Sequence, residues 1–216
     1  STLTLPDDVN DADADPNNEI ELPTNASLGD IAFYNGNDWE SIAPGTHGQT
    51  LSLCNGVPTW GPCPLSIGDE YAGGIIFYLD ASGEHGLVAA TSNQGSAPWG
   101  CYGTVIGGTS SAVGSGQSNT TAIVNGCATS GIAARICDDY SVTVGGIVYD
   151  DWFLPSLGEL NLMYNNKNAI GGFISGTYWS STESGGSDAW GQSFGIGIQD
   201  YGSKGYYGRI RAVRAF

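Results

Sequence analysis

The sequence predicts an α+β domain of short, twisted antiparallel strands with two or three helices, preceded by a small β-hairpin module. Three observations predict it. The 216 residues include 34 Gly and only 13% are charged, which implies many turns and few long helices. Short apolar runs, GGIIFYLD (73–80) and GLVAAT (86–91), read as buried strands. Two later stretches, GIAARICDDY and PSLGELNLMY, carry helical periodicity. The length suits one sizeable domain with a small appendage. We divide the chain into residues 1–27, 28–64 and 65–216.

Residues 1–27 are polar and acidic, with too little apolar area to fold alone, and read as a stalk or linker. Asp11, Asp13 and Asp15 alternate as at the start of a calcium loop. The pattern then fails, because Pro16 stands where the turn glycine belongs and no Glu closes the loop. A solvated acidic segment is the stronger reading, and no other cofactor or metal is implied. Residues 28–64 hold two similar units, GDIAFYNGNDW (Gly29 to Trp39) and GQTLSLCNGVPTW (Gly48 to Trp60). Each runs alternating apolar residues into Asn-Gly, which predicts a hairpin with a type I′ turn, whose two central residues need positive φ.

From Leu65 the main domain begins with two strands around the DASGEHG turn. A Gly/Ser/Thr-rich stretch follows to Asn119, and Asn119 or Thr120 is expected to cap a helix across TTAIVNGC. Ile132, Ile136 and Tyr140, with Ala133 and Cys137, form one face of a next helix. Pro155, Ser156 and Glu159 form a capping-box start, and Leu157, Leu160, Met163 and Tyr164 give the buried stripe behind it. After Gly171-Gly172 the remainder reads as strand and turn.

The net charge of −16, with six basic residues in all, argues against nucleic-acid binding, which needs a Lys/Arg footprint. No apolar run of membrane-spanning length is present. No signal peptide is visible and the chain begins without Met, as expected of a processed product. The five cysteines show no CxxC and only His47 and His85 accompany them, so structural zinc is not expected. An extracellular chain with disulfides fits better. Among the many pairings five cysteines permit, we expect Cys54–Cys63 and Cys101–Cys127, with Cys137 buried on a helix.

Catalytic constellations are weak. Both histidines lie in Gly-containing turns away from any nucleophile-elbow sequence. Asp138-Asp139 and Asp150-Asp151 are adjacent in sequence, which does not create the separation across a cleft that glycoside hydrolysis needs. GSGQSN (114–119) lacks the Lys of a phosphate-binding loop. Trp152, Trp179 and Trp190 have apolar neighbours and are expected to pack in the core. In RIRAVRA, strand alternation puts Arg209 and Arg211 on one face and Arg214 on the other, where Glu183 is its expected partner.

The informative segment is Ser184 to Gly208, in which 15 of 25 residues are Gly, Ser or Tyr. That is a paratope-like composition, with rigid amphipathic Tyr for contact and Ser and Gly for adaptability. The candidate binding residues are Gly185, Gly186, Ser187, Asp188, Gln192, Asp200, Tyr201, Gly202, Ser203, Lys204, Tyr206 and Tyr207. Tyr201, Tyr206 and Tyr207 serve as anchors, and Asp188, Asp200 and Lys204 set polarity. No catalytic residue is assigned.

The blocks GGIIFYLDASGEHGLVAA, GIAARICDD, DWFLPSLGELNLMY, AIGGF, YWSSTE, AW..SF and RIRAVRAF, in this order, resemble the Lcl C-terminal domain family over about residues 65–216. The resemblance implies a C-type lectin-like fold, related to that of the formylglycine-generating enzyme but lacking its active-site cysteines. Such domains sit at the tips of secreted, cell-surface or phage tail proteins. The end of the chain also resembles variable proteins of diversity-generating retroelements, in which adenine-directed mutagenesis rewrites AAY codons to NNY. NNY cannot encode Trp, Gln, Lys, Glu or Met, so Trp190, Gln192, Gln199 and Lys204 would be unvaried. Gly185 to Asp188, Asp200 to Ser203 and Gly205 to Gly208 are permissible outcomes.

The leading residues resemble stalk repeats of surface proteins and tail fibres, commonly trimeric, in which Ile20, Leu22 and Ile31 would be buried between copies. Together these resemblances imply a non-enzymatic, extracellular tip domain, on a cell surface or virion tail, that recognises a cell-surface protein or glycan. The alternatives are a structural subunit of a fibre or pilus and, third, a carbohydrate-active enzyme.

Overall fold

A computed structural model describes residues 26–216. The expected calcium candidates Asp11, Asp13 and Asp15, and the stalk residues Ile20 and Leu22, lie outside the described residues. The chain divides into two compact units between Pro64 and Leu65.

In the first unit, β1 (Ile31–Tyr34) pairs with β2 (Trp39–Ile42), and β3 (Leu51–Cys54) with β4 (Val57–Trp60). The second hairpin turns as expected. Asn55 and Gly56 have φ of 50° and 85°, the positive pair a two-residue I′ turn requires. The first does not. Tyr34 pairs with Trp39, leaving a four-residue connection in which Asn35 Oδ1 accepts the N–H groups of Asn37 and Asp38. That side-chain turn replaces the tight I′ geometry. Cys54–Cys63 staples the second hairpin.

The second unit mixes strands and helices, with strands dominant. A four-stranded sheet has the order β15-β7-β6-β5, built from β5 (Glu70–Tyr71), β6 (Gly74–Leu79), β7 (Gly86–Ala90) and the last strand, β15 (Val213–Ala215). Between them in sequence lie β8 (Ser96–Pro98), α1 (Gly116–Gly126), α2 (Ala133–Asp138), a hairpin β9 (Val142–Val144) and β10 (Ile147–Tyr149), α3 (Leu157–Asn165) and α4 (Lys167–Ile170). Then come β11 (Thr177–Glu183), β12 (Asp188–Ser193), β13 (Gln199–Ser203) and β14 (Tyr207–Arg209). These four and β8 form a five-stranded sheet of order β13-β12-β11-β14-β8.

The apolar runs of β6 and β7 are continuous because both faces are buried. Ile76 and Val88 enter one core cluster with Trp99, Ile123, Ile132, Trp152 and Trp179. Their neighbours Phe77 and Leu87 enter the other, with Phe153, Leu160, Met163, Tyr178 and Phe194. Helix α3 starts at the expected capping box: Ser156 Oγ accepts from Glu159 N, and Ser156 N donates to Glu159 Oε2 at 2.8 Å. Helix α1 starts earlier than expected, at Gly116. Asn119 and Thr120 do not cap it. Both are buried within it, where Asn119 bonds Ser110 and Ser181 and Thr120 Oγ1 accepts from Leu154 N. Cys101–Cys127 closes as expected, and Cys137 is buried on α2.

The C-terminal arginines correct the expected alternation. Strand β14 stops at Arg209 and β15 starts at Val213, so Ile210, Arg211 and Ala212 are irregular and all buried. Arg214 pairs with Asp151, not Glu183. Arg211 is the inward arginine. Among the described residues it meets no carboxylate, and it donates to Asn93 Oδ1, Ala90 O and Gly171 O, with its guanidinium over Phe173. Burial lowers its pKa from the usual arginine value.

Candidate ligand-binding surface

The surface is built on β11, whose first aromatic pair divides between the two clusters. Tyr178 faces one and Trp179 the other. Glycine makes room for the Trp179 indole. A Cβ on Gly208 would stand 2.6 Å from Trp179 Nε1, and one on Gly202 would stand 3.4 Å from the ring. The indole N–H donates to Ala97 O at 3.1 Å, fixing the ring between neighbouring strands.

A buried ion pair closes the far end. Lys204 Nζ lies 2.5 Å from Glu183 Oε1 and donates to Thr104 O at 2.8 Å, and its cation sits over the Trp99 ring at 4.5 Å. Glu183 also accepts the N–H groups of Ile106 and Gly107, each at 2.8 Å. Burial alone pushes the Glu183 carboxyl up. The Lys204 hydrogen bond and the two backbone donors outweigh it and hold the carboxyl below its ordinary value. Gly103 N donates to Gly186 O at 2.9 Å, so loop 101–107 lies directly beside loop 184–187.

Outside this frame stand the tyrosines. Tyr201, Tyr206 and Tyr207 are 57%, 72% and 75% exposed. Tyr201 is cross-strand from Trp190, edge to face at 5.5 Å between centroids. Asp200 is exposed, while Gly185, Gly186, Ser187, Asp188, Gly202 and Ser203 are half-buried. Trp152 and Trp179 are buried as expected, but Trp190 is only half-buried.

Two candidate residues prove to be internal. Lys204 is 0% exposed, because its ammonium is consumed by Glu183 and Thr104. Gln192 is 1% exposed, donating to Asn161 Oδ1 and Gly197 O, and so ties β12 to α3. Neither can touch a ligand, and both belong to the frame. Gly208, permissible on codon grounds, is likewise held by Trp179.

Sequence reasoning missed Tyr102 and Val105, both well exposed on the loop beside Gly186. Their signal was Cys101, whose bond to Cys127 on the α1 flank anchors that loop. His47 and His85 are exposed in turns. Among the described residues, no cluster of His, Cys, Asp or Glu is arranged to hold a metal ion, and no helix is long and apolar enough to cross a membrane. No protein-family model matches the chain, and no curated protein matches it.

Proposed function

We propose that residues 65–216 form a non-enzymatic, extracellular recognition domain of the C-type lectin-like class, which binds a cell-surface protein or glycan through its C-terminal segment. One observation carries this reading. Tyr201, Tyr206 and Tyr207 stand more than half exposed directly outside a frame in which Trp99, Trp179 and Lys204 are buried and the Glu183 side chain is 6% exposed. Large amphipathic side chains on a fixed base lose little conformational entropy on binding, which suits them to contact. The contact residues are these tyrosines with Gly185, Gly186, Ser187, Asp188, Asp200, Gly202 and Ser203, joined by Tyr102 and Val105. Retroelement diversification of the exposed members is part of the proposal. Two disulfides support an oxidising compartment.

The N-terminal module is proposed to associate with further copies, in keeping with a trimeric stalk. Leu51 and Leu53 are exposed on one face of β3.

The test compares the wild-type chain with the Tyr201→Ala, Tyr206→Ala, Tyr207→Ala triple variant on an array of glycans and cell-surface proteins. Loss of captured ligand with unchanged oligomeric mass supports recognition. Unchanged capture, or collapse of the oligomer, counts against it and favours a structural subunit.

A further inference from the structure

We infer that the groove between α4 and the ends of β11 and β12 is a separate binding subsite for an acidic sugar, a single ring bearing one carboxylate. The groove has a volume of about 370 Å³ and is lined by Lys167, Phe173, Ile174, Ser175, Phe194 and Gly195 among others. That size is at the small end of ligand pockets, suited to one ring and not to a polypeptide. Phe173 and Phe194, with ring centroids 4.5 Å apart, pack on each other along the groove's apolar side, so the sugar would meet their edges and not a free ring face.

Charge identifies the ligand. The chain has only six basic residues, all beyond residue 130. Lys204 and Arg214 are neutralised by Glu183 and Asp151. Arg135 serves carbonyls at the C-terminal end of α1 and just past it, those of Val124, Cys127 and Thr129. Among the described residues, the remaining three have no carboxylate partner, and all three border this one groove. Lys167 Nζ donates to Phe194 O at 3.2 Å, Arg209 Nε to Ser175 O at 3.0 Å and Arg211 Nη2 to Gly171 O at 3.0 Å.

Each thus bonds a neutral main-chain carbonyl of a lining residue, leaving its positive charge uncompensated. On a chain of net charge −16 that concentration selects for an anion locally, since charges beyond a Debye length of about 8 Å are screened. Lys167 lines the groove itself, and with one carbonyl bonded it retains ammonium protons for a carboxylate. Arg211, buried behind the Phe173 ring at 4.2 Å, and Arg209 act through their field. None of Tyr201, Tyr206 and Tyr207 lines it.

The experiment titrates the full chain with glucuronate, with N-acetylneuraminate and with neutral glucose, followed by heteronuclear NMR. The proposal predicts that at least one acid shifts resonances of residues 167–175 and 194–195, with glucose binding about tenfold or more weakly. Lys167→Met should weaken the acid by about tenfold, Lys167→Arg should retain it, and added salt should weaken it. The tyrosine triple variant should bind the acid as the wild type does, which separates this site from the proposed recognition surface. The proposal is overturned if neither acid shifts these residues, if glucose binds equally well, or if natively melting Lys167→Met binds unchanged. Should Lys167→Met fail to fold, the Lys167→Arg titration and the salt dependence decide: loss in Lys167→Arg or indifference to salt overturns it.

Discussion

Lys204 Nζ and Glu183 Oε1 meet 2.5 Å apart in the interior, and through Thr104 O, Ile106 N and Gly107 N the pair draws loop 101–107 against the end of β11. One buried side chain therefore joins three segments that border the exposed tyrosines. Removing one partner strands the other's charge. Lys204→Met is expected to lower the unfolding free energy by about 3–5 kcal/mol, measured by chemical denaturation. Adding Glu183→Gln to it should cost less than the sum of the two single changes, because the partners act as a unit.

The same pair gives a pH dependence of known sign. Glu183 is held below its ordinary value of 4.5 in the folded chain. Its contribution is therefore fully present above that value and is lost as pH falls through the lower folded pKa. Glu159 acts oppositely. Burial pushes its carboxyl up, against the donors Ser156, Gly114 and Gly116, so its contribution to stability falls as pH rises from the ordinary value towards its folded pKa. The difference in stability between wild type and Glu183→Gln isolates the first effect. It should be flat above about pH 5 and shrink below it.

The glycines under Trp179 differ in what they tolerate. A Cβ at position 208 would stand 2.6 Å from the indole nitrogen, whereas one at 202 would make ordinary contact at 3.4 Å. Gly208→Ala is expected to cost about 1–3 kcal/mol through overpacking. Gly202→Ala should stay within about 0.5 kcal/mol. Thermal melts of the two variants side by side check this.

Loop 101–107 is held by Cys101–Cys127, which closes a separation of 26 residues. The Cys101→Ser, Cys127→Ser double variant should lose about 2–4 kcal/mol. Captured ligand should fall with it, since the loop carries Thr104 O and the N–H donors of Glu183. The Cys54→Ser, Cys63→Ser pair should leave ligand capture unchanged, because that bridge belongs to the other unit.

Local signals were legible in the sequence. The Ser156/Glu159 capping box, the Asn55-Gly56 turn and the doubly buried runs of β6 and β7 each act within a few residues, so their periodicity or spacing reveals them. The exposed tyrosines were legible because their neighbours in sequence are Gly, Ser, Asp and Lys with no apolar period. What escaped depends on partners far along the chain. A lysine among Gly, Ser and Tyr reads as surface, yet Lys204 bonds a carbonyl 100 residues away. Strand alternation points Arg214 towards Glu183, whereas its partner Asp151 lies 63 residues off and gives no pairing signal. Asn119 reads as a helix cap, and only packing shows its amide joining Ser110 to Ser181.

The central claim is that specificity resides in the exposed residues while the frame beneath them stays fixed. Sequencing the 3′ end of this gene across sibling isolates tests it most directly. The account predicts substitutions concentrated at Asp200, Tyr201, Gly205, Tyr206 and Tyr207, with Trp179, Glu183, Gln192, Lys204 and Gly208 unchanged. Substitutions falling on the frame, with the tyrosines invariant, would contradict it.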